Sequence, residues 1–157
     1  MKNFLVVGAS SESFTEDFNL QDACTIKLQQ KVMPLKATGS GSIVLFSTVA
    51  VSLGFTSHSQ VAASKGAIES LVHSLAAEWA PDIHINAIAP SLTETPLAAH
   101  LLNSPEKKEA NAHRHPLKRV GRPEDIASTV QFLLSENANW ITGQIIHTDG
   151  GMSAIKS

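Results

Sequence analysis

The 157-residue sequence contains no tyrosine, and Cys24 is its single cysteine. One cysteine excludes an internal disulfide, and no phenol is available anywhere in the chain as a proton donor. An excess of either charge is also lacking, since 12 Lys and Arg face 14 Asp and Glu for a net charge of −2. The basic residues scatter, apart from a weak cluster from Lys107 to Arg122, so no basic face is expected to bind nucleic acid. No stretch approaches the roughly 18 uninterrupted apolar residues of a membrane span. The N-terminus lacks the long apolar run and cleavage site of a signal peptide, so a cytoplasmic setting with no membrane partner is expected. His58, His73, His84, His100 and His147 stand isolated, and His113 and His115 lie two apart in an expected loop. That spacing fits no helical ligand pair, and no metal is expected.

What is present is globular composition, 43% apolar and 17% charged, at a length suited to one domain over residues 1–157. "KNFLVVG" (2–8) reads as a buried strand running into a turn at Gly8, and a helix is expected over 17–33 before Pro34. "SIVLFST" (42–48) is a continuous apolar run of the kind found in parallel strands covered on both faces. Ile68, Leu71, Val72, Leu75 and Trp79 recur at helical spacing over 59–80, where Pro81 ends the pattern. "IHINAIAP" (83–90) is strand-like, and 91–120 reads as a mobile, largely polar helical excursion anchored by Leu97, Leu101 and Leu102. Pro123 suits the first position of a helix to Leu134, with Glu124 and Asp125 in its first turn. "GQIIHTDGG" (143–151) closes the pattern as a strand and a glycine turn. Alternating strands and helices indicate an α/β parallel sheet, whose sites lie at the carboxyl ends of strands. That rule selects Gly8 to Ser11, Ser47 with Thr48, and Pro90 to Thr95.

Those stretches, taken with "VAASKGA", "GRPEDIA" and "ITGQIIHTDGG", resemble the short-chain dehydrogenase/reductase family in order and spacing from Asn19 onward. The resemblance implies a Rossmann-like doubly wound parallel sheet, NAD or NADP as cofactor, and hydride transfer to or from a small carbonyl or alcohol substrate. It also implies a homo-oligomer, dimer or tetramer. In the family a Tyr-x-x-x-Lys pair acts with an upstream Ser and Asn. Lys65 matches the lysine, which holds the nicotinamide ribose and lowers the phenol pKa. Val61 stands at the tyrosine position, Thr48 at the serine position and Asn19 at the asparagine that supports a water chain to the lysine. Gly8, Ser10 and Ser11 match the cofactor turn, and Pro90, Ser91 and Thr95 match a Pro-Gly-x-x-x-Thr segment lying against the nicotinamide. Ser91 replaces the glycine there, adding a β-carbon beside the cofactor. Residues 93–117 match the variable substrate lid. Taken singly, Lys65 is commonly a solvated helix residue and Thr48 a strand-end residue. Only the constellation carries the resemblance.

Two departures qualify what it implies. Val61 cannot protonate the alkoxide that hydride transfer creates, and a positioned acid commonly contributes about 10²–10⁴ in rate. His58, three residues upstream, is either a substitute acid or a plain loop histidine. The second departure follows "VVGASS", where Glu12 and Phe14 stand in place of two phosphate-approaching glycines. Roughly 70 to 90 residues, strands 2 to 4 of the family's order, are expected to be absent near 11–17. Strand 2–7 would then lose both neighbours. Either the sequence joins two segments of a longer chain, the explanation we favour, or the chain is this short and strand 2–7 has moved beside strand 42–47 or onto another subunit. The alternative to an oxidoreductase is an inactive relative that serves as an oligomer-assembly module.

Overall fold

The computed structural model describes residues 3–7, 37 and 39–156, with backbone alone for 3–7. The helix expected over 17–33, the junction near 11–17, and Gly8, Ser10, Ser11 and Asn19 all lie outside the described residues. The elements are β1 (Asn3–Val7), β2 (Gly41–Phe46), α1 (Ala50–Leu53), α2 (Ser59–Trp79), β3 (Ile83–Pro90), a 3-10 turn (Pro96–Leu101), α3 (Pro105–His113), α4 (Pro123–Leu134), a second 3-10 turn (Glu136–Ala138) and β4 (Ile145–Thr148).

The described strands form one parallel sheet in the order β1-β2-β3-β4. β1 does not lose both neighbours. It pairs with β2 from Asn3 opposite Gly41 to Val7 opposite Leu45, the arrangement foreseen for a strand displaced beside 42–47. This pairing satisfies the inner row of β1 amides and carbonyls that would otherwise need other partners.

β2 is largely an apolar run and β3 is apolar apart from His84 and Asn86, because both faces of these strands are covered. Ile43 and Leu45 of β2, with Ile83, Ile85 and Ala87 of β3, pack against Val72, Leu75, Ala76 and Trp79 of α2. The alternate residues Val44 and Ile88 turn the other way, toward Leu133 and the partly buried Ile126 and Val130 of α4. Each leucine or isoleucine fully buried in these clusters contributes about 1.5–3 kcal/mol.

α2 connects β2 to β3 over one face, and α4 connects β3 to β4 over the other. Both connections advance the same way across the sheet, so they have opposite hands and one departs from the right-handed rule.

Local chemistry fixes the ends. Pro123 opens α4, and the Asp125 carboxylate accepts the Arg122 N–H at 2.8 Å while binding the Arg119 guanidinium through both oxygens. The Arg119 hydrogen bond, helped by the Arg122 amide, lowers the Asp125 carboxyl to about 2. The buried Asn86 amide holds the loop before β4, donating to the Ile141 carbonyl at 3.1 Å and accepting the Gln144 N–H at 3.0 Å. The excursion after β3 is closed at its base, where Glu94 N–H donates to Gly121 O at 2.9 Å and Gly121 N–H to Leu92 O at 3.0 Å. Among the described residues no helix is long and apolar enough to cross a membrane, and no group of three His, Cys, Asp or Glu is placed to hold a metal ion.

Candidate active site

The site forms where β2 and β3 end and α1 and α2 begin. β2 is continued by two backbone bonds, Ser47 N–H to Ile88 O at 2.8 Å and Val49 N–H to Pro90 O at 3.2 Å. Thr48 lies between them, beside the last residues of β3. Its Oγ1 accepts the Ala50 N–H at 3.3 Å, which leaves the hydroxyl hydrogen free to be donated elsewhere.

α2 supplies the cation. Lys65, part-buried in the second turn, extends its ammonium to the end of β2 and donates from Nζ to the Phe46 carbonyl at 3.0 Å. The side chain therefore reaches the end of β2 rather than extending fully into solvent. One helical turn later, Glu69 accepts the Ser47 hydroxyl at 2.5 Å. Val61 sits part-buried in the first turn of α2 and offers only its backbone carbonyl, which accepts Ser64 Oγ at 3.0 Å.

His58 is exposed just before α2. Its Nδ1 bonds the Thr56 carbonyl at 2.8 Å, and its ring meets the Phe55 edge at 5.7 Å between centroids. Phe55 also lies under the Arg114 guanidinium at 5.3 Å, so the residue after α3 reaches over the turn leading into α2.

Pro90 and Thr95 line a cavity of about 900 Å³ together with Phe46, Thr93 and the inner stripe of α4 that includes Pro123 and Ile126. Ser91 points elsewhere. Its hydroxyl meets His115 Nε2 at 2.9 Å, and His115 is only 2% exposed with Nδ1 bonded to the Asn111 carbonyl at 2.8 Å. With Nδ1 donating to that carbonyl, Nε2 of the neutral ring accepts from the Ser91 hydroxyl. The residue in the glycine's place thus anchors the base of the excursion and lines a second, polar cavity of about 450 Å³ bounded also by Arg119, His147 and Asp149. In that cavity burial raises the Asp149 carboxyl, but hydrogen bonds from Ser153 and the Gly151 amide outweigh it and leave the group below its ordinary value.

The structure brings the Lys65 ammonium to the end of β2, two residues before Thr48, and places Pro90 and Thr95 together in the cavity on the α4 face; Val61 is bonded only within α2 among the described contacts, and the Ser91 hydroxyl turns away to His115. Sequence reasoning missed Glu69, Phe46, Thr93 and His115. The i,i+4 spacing from Lys65 was available as a signal for Glu69. His115 carried none, since its partner is 24 residues away in sequence.

The profile of a family described as enoyl-(acyl carrier protein) reductase matches residues 2–153. A tropinone reductase homologue of Arabidopsis thaliana is 42% identical over 146 residues, covering 92% of this chain and 55% of the relative. Another, from Datura stramonium, is 44% identical over 121 residues, covering 74% of this chain and 45% of the relative. The chain thus spans about half the length of the curated relatives it matches. Among solved structures, a short-chain type dehydrogenase/reductase of Mycobacterium ulcerans superposes with TM-score 0.85 at 28% identity, over 99% of this chain and 62% of that one. A Beutenbergia cavernae protein, described as an NAD(P)-dependent gluconate 5-dehydrogenase and holding NADP, gives TM-score 0.85 at 30% identity, over 98% of this chain and 67% of that one.

Proposed function

Because the chain belongs to the short-chain dehydrogenase/reductase family, we propose that it binds the nicotinamide end of NAD or NADP and moves hydride between that cofactor and a small carbonyl or alcohol. The observation that carries this reading is the Lys65 ammonium, held at the end of β2 by the Phe46 carbonyl although no phenol stands four residues before it. A merely solvated helix lysine would not be directed into the sheet end.

The residues present fit the nicotinamide and its ribose. Lys65 would hold the ribose hydroxyls, and Pro90 and Thr95, walls of the cavity of about 900 Å³, would lie against the ring. Gly8, Ser10 and Ser11 are proposed for the phosphate side, and Ser91 for the backbone that approaches the ring. The cofactor supplies or accepts the hydride when bound. Thr48 donates its free hydroxyl hydrogen to the substrate oxygen, orienting the carbonyl and stabilising developing negative charge. Val61 fills the tyrosine position without a proton, so the proton comes from water, which Asn19 and the Lys65 ammonium would order. The reading keeps one domain over residues 1–157, with a join or a deletion near residues 11–17.

A second reading is favoured by Val61 together with Trp140, which is 100% exposed. In it the chain is an inactive assembly module in a homo-oligomer. Fluorescence titration with NADH and NADPH separates the two. Binding of either, weakened at least tenfold by Lys65→Ala, is expected of the oxidoreductase. No binding of either transfers the assignment to the module.

A further inference from the structure

We propose that Glu69 is a positioning residue, whose carboxylate accepts the buried Ser47 hydroxyl and thereby fixes the turn that aims Thr48 at the substrate. The inference rests on the reading of Thr48 as the substrate-orienting hydroxyl, and it assigns a task to a carboxylate that hydride transfer itself does not use.

Lys65 and Glu69 are one turn apart on α2 and present one face of that helix to the sheet end. They grip successive residues of one strand end. Lys65 Nζ takes the Phe46 carbonyl at 3.0 Å, and Glu69 Oε1 takes the Ser47 hydroxyl at 2.5 Å. The Phe46 side chain turns to the α4 cavity, so the alternation of a strand turns Ser47 toward α2, where only a side-chain tether can reach it. Ser47 is 4% exposed, and a buried hydroxyl takes its partner from within the protein. A charged acceptor also makes a stronger bond than a neutral one. The backbone on either side of Thr48 is meanwhile bound to Ile88 and Pro90. The residue is thus clamped by β3 through its neighbours' amides and by α2 through the Ser47 side chain. Releasing the Glu69 contact frees the side from which Thr48 is oriented.

The test uses the full chain with methyl-labelled threonine, observed by NMR without nucleotide. Ser47→Ala and Glu69→Leu are expected to shift the Thr48 methyl signal, while the Thr129 and Thr142 methyls, at other places in the fold, stay in position. Glu69→Gln, which keeps an acceptor for the Ser47 hydroxyl, is expected to leave Thr48 where it is in the unmodified protein. A Thr48 signal unmoved by Ser47→Ala, or moved as far by Glu69→Gln as by Ser47→Ala, overturns the proposal. Those two variants decide the matter even if Glu69→Leu does not fold. Failure of NADH and NADPH to bind would overturn the oxidoreductase reading and leave this result standing.

Discussion

In the proposed site Val61 would place an isopropyl group where the family's phenol stands. If Thr48, Lys65 and the Pro90 turn remain competent around it, Val61→Tyr should raise carbonyl reduction by about 10²–10⁴, followed as NADPH consumption with a panel of small ketones. No gain in a variant that still binds nucleotide would favour the assembly module. Asp125 is a residue whose effect is electrostatic. Its carboxyl is lowered from 3.8 to about 2 by Arg119, so it contributes stability above pH 3.8 that is lost as pH falls through about 2. Arg119→Ala should return the Asp125 titration, followed by carboxyl NMR, toward its ordinary position and make acid unfolding begin at higher pH. Ser91 makes a third test. Ser91→Gly removes the donor to His115 and leaves a buried ring nitrogen unpaired, which should cost about 1–3 kcal/mol in urea unfolding. At this scale Lys65, Thr48 and Pro90 could be singled out because each answers to a short local pattern, whereas Ser47–Glu69 and Ser91–His115 join residues 22 and 24 apart, and no local period encodes such meetings.

Periodicity accounts for the elements better than for the pairs. Strands over 42–48 and 83–90, and helices over 59–80 and from Pro123 to Leu134, are found as Gly41–Phe46, Ile83–Pro90, Ser59–Trp79 and Pro123–Leu134. The first strand is an apolar run, the second is apolar apart from His84 and Asn86, the helices carry a 3.6-residue stripe, and all but the first strand have a proline near an end. The excursion at 91–120 was harder to read, because Thr95 and Ser104 cap two short helices with polar hydroxyls that look like loop sequence. Its base is pinned by Gly121 and His115, long-range contacts that its expected mobility did not foresee. Two element-level substitutions test the packing. Leu75→Ala, on the buried face of α2, should destabilise by about 2–5 kcal/mol. Asn86→Ala would strand the Ile141 carbonyl and the Gln144 amide, and should detach the loop before β4 at about 1–3 kcal/mol for each group that water cannot reach. Amide exchange at Gln144 would report that release directly.

For the whole molecule, the parallel α/β class was legible because strand runs alternate with helical stripes. The place of β1 beside β2 was legible only as one of several alternatives, since neighbours in a sheet are fixed by what else is available to pair. With β1 beside β2, the described sheet has two margins, β1 and β4. If the chain self-associates as its relatives' resemblance implies, sedimentation velocity should show a species that grows with concentration, and Trp140→Ser should shift it toward monomer. A single concentration-independent monomer would count against the homo-oligomer. One feature of the interior bears on how such a chain acquires its shape. Every buried member of the larger apolar cluster lies between Ile43 and Ala87, within one uninterrupted strand-helix-strand stretch. Closing that stretch requires only short loops, so it can collapse early and open last. Its central amides should be the slowest in the protein to trade hydrogen for deuterium, outlasting those of both flanking strands.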